Sequence, residues 1–466
     1  MPANRCVSRD EIRAAFSAAM SAMYRAEVPA YGTLISLVTK VNAETLSRDQ
    51  ALRASLEATE TIERISEERH GAIRLGTAQE LAMMRRVFAV MGMLPVGYYD
   101  LSEAGVPVHS TAFRPIDEAA LKINPFRVFT SLLRLDLIDD AELREEARRI
   151  LAARRIFSDA AVSLVEKAER DGGLSREDAG LFVLEVLDTF RWHDQALVDR
   201  ALYERLHAAH RLIADVVSFR GPHINHLTPR TLDIDAVQER MPGEGIAPKA
   251  IVEGPPTRAC PVLLRQTSFK AIEERVSFRD AAGDPQADSH TARFGEIEQR
   301  GIALTPKGRA LYDRLLRQAR ATVRPAADGS NADAYRATLA ASFEAFPDDW
   351  NEIRKAGLGY FLYTVEASAF AAAKATGMDM EDLIEAGVVR FDPIVYEDFL
   401  PVSAAGIFQS NLGDHAAQDF VASPNQRLFE QALGAPVANE FQLYADMEKA
   451  SAERCLAALR EGAAAA

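Results

Sequence analysis

Apolar residues recur at three- and four-residue spacing through the first 66 positions. SRDEIRAAFSAAMSAMY opens with Ser8, carries Glu11 three positions on as in a capping box, and then keeps a helical apolar stripe. The period changes near His70. HGAIRLG reads as a short strand, AQELAMMRRVFAVMGM as a helix, VGYYDL as a strand, and VPVHSTAFRPI as one or two more. Residues 67–116 therefore predict a β-α-β-β module.

From 117 to 218 the spacing is helical almost throughout, including INPFRVFTSLLRLDLI and ALVDRALYERLHAAHRLIADVVS, and predicts a helical insertion packed as a bundle. Strand patterning returns over 219–304. GPHINHL is extended, and LDIDAVQERM starts a helix with Thr231 or Asp233 as N-cap. KAIVEGP, PVLLRQTSF, EERVSFRD and TARFGEIEQRG read as strands. Residues 305–466 add helices, two strands in YFLYTV and VVRFDPIVYEDF, a loop in LPVSAAGIFQSNLG and a last helix. The fold class is α+β: a β-α-β-β-β-like order appears twice, with large helical insertions and extensions.

Composition narrows the function. The chain has 466 residues, is 48% hydrophobic and carries a net charge of −14, which disfavours nucleic acid or an anionic membrane as partner. The same charge opposes an anionic substrate, so binding one requires well-placed local arginines. The three cysteines form no CxxC pair, the N-terminus lacks the apolar core of a signal peptide, and FAVMGMLPVGYY is too short to span a bilayer. The expected setting is a reducing cytoplasm.

Histidines and carboxylates on strands suggest a metal. His70 lies on the opening strand of the first module, and His223 and His226 on that of the second. Strand residues three apart face opposite sides, so one of this pair is expected to reach a shared ion. Glu296 and Glu298 share a face of the closing strand with Phe294 and Arg300. His290 is a competing ligand at that strand's start, and no HExxH motif is present. Two histidines and one carboxylate leave coordination positions open and suit a non-haem iron(II) enzyme acting on dioxygen. Arg74 shares a strand face with His70 about 13 Å along the backbone, and its donor fork suits a substrate carboxylate. Taken alone, these residues also read as structural histidines, solvated strand charges and a surface salt bridge.

HGAIRLG, GPHINHLTPRTLDID, LRQTSFKA, HTARFGEIEQRGIALTPKGRALYD and VYEDFLPVSAAGIFQSNL resemble the 2-oxoadipate dioxygenase/decarboxylase family, the 2-hydroxyglutarate synthases, along nearly the whole chain. The resemblance implies a core like that of the vicinal oxygen chelate superfamily, with paired β-α-β-β-β modules curved around one metal. It implies Fe(2+) held by His70, His226 and Glu296, and a substrate touched by Arg74, Val402 and Ser403. No acid–base residue separate from the metal site is implied. The implied reaction takes 2-oxoadipate and dioxygen to D-2-hydroxyglutarate and carbon dioxide in lysine breakdown. Other readings are a metal-dependent isomerase or lyase on the same scaffold, indifferent to dioxygen, and a binding protein that forms no product. A third, an interaction scaffold, would function without His226.

Overall fold

The structure is a computed structural model and describes residues 6–59, 62–67, 69–269, 272–279, 285–326, 328–366, 378–400 and 424–465. The helices Arg9–Glu27 and Pro29–Arg48 lead the chain. Ser8 caps the first as expected: its hydroxyl accepts from the Glu11 amide at 3.1 Å while the Glu11 carboxylate accepts from the Ser8 amide. Phe16, Met20, Met23 and Tyr24 on its buried face enter the largest apolar core.

Strands β1 (Arg69–Leu75), β2 (Leu94–Asp100), β3 (Val108–Arg114) and β4 (Arg127–Leu133) belong to one sheet; β5 (Gln195–Asp199) pairs elsewhere, and β6 (Leu227–Pro229) completes the sheet in the order β2-β3-β4-β1-β6. β1 is parallel to β4 and antiparallel to β6. Ile73 and Leu75 join the core that also takes Leu81, Met84, Val87 and Phe88 from the helix Ala78–Val90. The other face of β1 carries His70, Ala72 and Arg74, whose register partners on β4 are Arg127, Phe129 and Ser131.

Strands β7 (Leu264–Ser268) and β10 (Glu296–Arg300) form an antiparallel ribbon, whereas β8 (Ile272–Arg279) lies between β5 and β9 (Pro285–Arg293) in a separate sheet. The segment 225–231 joins the ribbon to the main sheet. It pairs with β1 through Leu227, Thr228 and Pro229. On its other side Asn225 O accepts from Phe294 N at 3.1 Å, and Thr231 N donates to Glu298 O at 2.8 Å. The chain carrying His226 thus lies between the strand carrying His70 and the strand carrying Glu296. Gly71 permits this approach: a Cβ there would sit 2.5 Å from Ile224 Cδ1 and 2.9 Å from the His226 carbonyl. Beyond Thr305, helices Pro306–Thr322 and Ala332–Phe343, with a ribbon of β11 (Phe361–Val365) and β12 (Val389–Pro393), build a second core on Ile302 and Leu304.

The α+β class agrees with the sequence reading, and Asp233 is the N-cap of the helix Ile234–Arg240. Some elements differ. RVFTSLL, read as helix, is β4, a central strand buried on both faces, and a continuous apolar run of that kind cannot be told from a buried helix by period alone. With β4 the first module becomes a full β-α-β-β-β unit. QALVD, also read as helix, is β5. KAIVEGP forms no strand and is tied down by single bridges, Pro248 to Phe269 and Glu253 to Gln266. TARFGEIEQRG is broken at Phe294 and Gly295 into β9 and β10: there Phe294 N turns to Asn225 O and Gly295 O accepts from Phe269 N at 3.0 Å, with the Phe269 ring packed where a side chain at 295 would stand.

Candidate metal centre

His70, His226 and Glu296 each offer one ligand atom, and the three atoms lie within 4.8 Å of one another; all three residues are buried. His70 Nε2 is 3.1 Å and His226 Nε2 is 3.6 Å from the same oxygen, Glu296 Oε2. Thr228 donates to that oxygen at 3.0 Å. Neither ring nitrogen of His226 has a hydrogen-bond partner among the described residues, although the side chain is only 1% exposed. Burial, and then the nearby His70 and Arg74, hold its pKa well below the ordinary histidine value. A neutral, buried imidazole with unspent lone pairs beside a carboxylate fits a divalent cation. Without one, two polar atoms would be desolvated for no return.

Glu298 shares the face of Glu296 but does different work. Its Oε1 is 3.2 Å from His70 Nδ1, and it accepts from Arg300 Nε at 2.8 Å and closely from Arg127 Nη2. Burial opposes its ionisation, yet Arg127, His70 and Arg300 together keep its pKa well below the usual carboxylate range. Arg127 Nη2 also lies 3.4 Å from His70 Nδ1. With Nε2 turned toward Glu296 as a ligand atom, the ring proton belongs on Nδ1, where the acceptor-only Glu298 carboxylate is 3.2 Å away. The remaining charges extend outward. Arg300 and Arg64 both pair with Glu397, and Arg114 holds Asp398 in a two-pronged bond at 2.7 and 3.0 Å. Arg127 Nη1 donates to the Asp398 carbonyl at 2.9 Å. Phe399 closes over the centre, its ring edge-on to His70 at 5.0 Å and under the Arg127 guanidinium at 4.5 Å.

Arg74 lies on the His70 face of β1 as expected, and it is buried rather than solvated. Its Nη1 donates to Asp215 Oδ2 at 2.6 Å. His290 bonds Asp215 at 3.0 Å and His223 Nε2 lies 3.2 Å from the same carboxylate, and His290 in turn meets the Tyr203 hydroxyl at 2.8 Å. Burial opposes the ionisation of Asp215 as well; His223 and Arg74 more than offset this and hold its pKa well below the ordinary value. His223 and His290, both considered as ligands, are thus partners of Asp215, and His290 stands within β9 rather than at a strand start. Val402 and Ser403 lie outside the described residues, a few positions beyond Phe399. Glu298, Arg127 and Asp215 were missed as supporting residues. For Glu298 the shared strand face was a visible signal. Arg127 was hidden by the helical reading of β4, and nothing local to the helix Arg211–Ser218 marks Asp215.

A buried pair of imidazoles with one carboxylate, enclosed by an α+β scaffold, defines a candidate mononuclear metal protein. A family model described as 2-oxoadipate dioxygenase/decarboxylase matches residues 16–411. The 2-oxoadipate dioxygenase/decarboxylase of Pseudomonas putida is 58% identical over 464 residues, covering 99% of this chain and 100% of that protein. That of Escherichia coli is 55% identical over 451 residues, covering 96% and 98%. The crystal structure of the hydroxyglutarate synthase from Pseudomonas putida in complex with 2-oxoadipate superposes with a TM-score of 0.90 at 56% identity, over 98% of this chain and 99% of that one. The chain belongs to the 2-oxoadipate dioxygenase/decarboxylase family. Among the described residues no helix is long and apolar enough to cross a membrane.

Proposed function

We propose that this chain is an iron(II)-dependent dioxygenase/decarboxylase converting 2-oxoadipate and dioxygen to D-2-hydroxyglutarate and carbon dioxide, a step in lysine breakdown. The observation that carries the reading is the convergence of His70, His226 and Glu296 in a buried position where neither ring nitrogen of His226 has a hydrogen-bond partner among the described residues. The likeness to a hydroxyglutarate synthase that binds 2-oxoadipate supports the substrate class. Bound iron(II) would supply the dioxygen-dependent oxidative decarboxylation of a 2-oxo acid that side chains alone do not perform. The chain's own residues hold and orient. Glu298 keeps the His70 proton on Nδ1. Arg74, braced by Asp215, receives the far carboxylate of the substrate, and Val402 and Ser403 contact it as well. Phe399 and the apolar residues Ala72 and Phe129 of the same cluster exclude water above the sheet.

The buried arginines answer the charge problem. A net charge of −14 repels a dianion at long range, but salt screens that field over about 8 Å, whereas a buried guanidinium acts unscreened at contact. To test the function, the protein is loaded with iron(II) in the absence of dioxygen and then given 2-oxoadipate and air. Dioxygen uptake, carbon dioxide release and 2-hydroxyglutarate in equal amounts are expected. Turnover without dioxygen, or binding without product, refutes the proposal.

A further inference from the structure

Gln266 on β7 is buried, and neither end of its carboxamide, Nε2 or Oε1, has a hydrogen-bond partner among the described residues. Folded proteins pair the large majority of such side-chain groups, and leaving one unpaired costs about 1–3 kcal/mol. The backbone of Gln266 is fully engaged, exchanging bonds with Glu253 at 2.9 and 2.7 Å, so the strand is well anchored while its side chain is unspent. The register says where that side chain points. Gln266 is directly opposite Glu298 and two rungs, the next on the same face, from the Glu296–Ser268 pair. Directly opposed residues of an antiparallel ladder project from the same face, about 5 Å apart at Cβ, and diagonal ones about 7–8 Å. The amide therefore stands on the face that presents Glu296 and Glu298 to His70, at the metal end of the site. Arg74 is at the other end, two same-face positions along β1 from His70.

We propose that Gln266 is a substrate-contact residue, its Nε2 donating to the α-carboxylate of the 2-oxo acid beside Glu296. This rests on the reading above that the site takes a 2-oxo dicarboxylic acid. The assignment of ends follows from chemistry. The substrate head presents only acceptors, so the donor end of the amide faces it, and Gln266 reads the head while Arg74 reads the tail. A head contact is indifferent to chain length.

The test uses Gln266→Met, which keeps length and removes both polar ends, in the metal-loaded protein. Binding of 2-oxoadipate and of the shorter 2-oxoglutarate is measured by calorimetry without dioxygen, alongside metal content and Tm. The expected result is an affinity loss of about tenfold for each ligand, equal between the two, with metal content unchanged and Tm equal or higher. Equal loss for both ligands is what a scaffold defect at the tail would not produce. Wild-type affinity in the variant overturns the assignment, and so does a fall in Tm and metal content, which would make the amide structural. If the wild type binds neither ligand, the reading of the whole site fails, a result separate from failure of the variant alone.

Discussion

Replacing Glu298 by Gln separates the two carboxylates of β10. The change removes the negative charge shared by Arg127 and Arg300 and turns an acceptor-only group into one that also presents N–H to guanidinium groups or to His70 Nδ1. Stripping one partner from a buried ion pair costs about 3–5 kcal/mol. Here the lower end applies, because Arg300 keeps Glu397 and Arg127 keeps the Asp398 carbonyl. About 3 kcal/mol corresponds to a fall in Tm of about 6–12 °C for a cooperative unit of 150–250 residues. Metal affinity should fall about 10–100-fold, as for other groups that orient a ligating histidine. Glu296→Gln should do the reverse: its carboxylate meets Thr228, His70 and, at 3.6 Å, His226, and pairs with no arginine among the described residues, so the metal-free Tm changes little while metal binding is lost outright. Anaerobic titration with iron(II) against a chromophoric chelator, with melts in the presence and absence of metal, reads both quantities. If Glu298→Gln abolishes metal binding at unchanged metal-free Tm while Glu296→Gln retains the metal, the two roles are exchanged and the centre has been assigned wrongly.

Three further outcomes are expected. Arg74→Ala should raise KM for 2-oxoadipate or abolish turnover while leaving iron content unchanged, because His223 and His290 still hold Asp215 in place; unchanged kinetics and substrate preference would remove Arg74 from the site. Gly71→Ala should destabilise the fold by about 1–3 kcal/mol and weaken metal binding, since its Cβ would push the His226 segment off β1; a wild-type melt and metal content would contradict this. His109 is held at about 4, below its ordinary 6.5, by burial first and Arg134 second. The folded state prefers it neutral, so its contribution is present above pH 6.5 and is lost as pH falls toward 4, by up to about 3 kcal/mol. His109→Gln should flatten stability across that window, which thermal melts at stepped pH would show.

Much of the site was legible along the chain. Strand parity put Glu296 and Glu298 on one face and His70 with Arg74 on another, and parity is a local property that holds wherever the strand runs unbroken, as β1 and β10 do. The capping box at Ser8 and the N-cap at Asp233 are likewise set by residues three apart. Family likeness, carried by long and unusual blocks such as FGEIEQRG, selected His226 over His223. Only the tertiary structure decided what each group faces. His223 and His290 meet in space at Asp215, a residue of a helix whose local pattern says nothing about them. Arg127 acts on Glu298 because β4 lies beside β1, a pairing of strands separated by the helix Ala78–Val90 and by β2 and β3. The reason is general. Periodicity reports which side of an element is buried, but the identity of the group buried against it depends on contacts between segments far apart in sequence, and no local pattern encodes those.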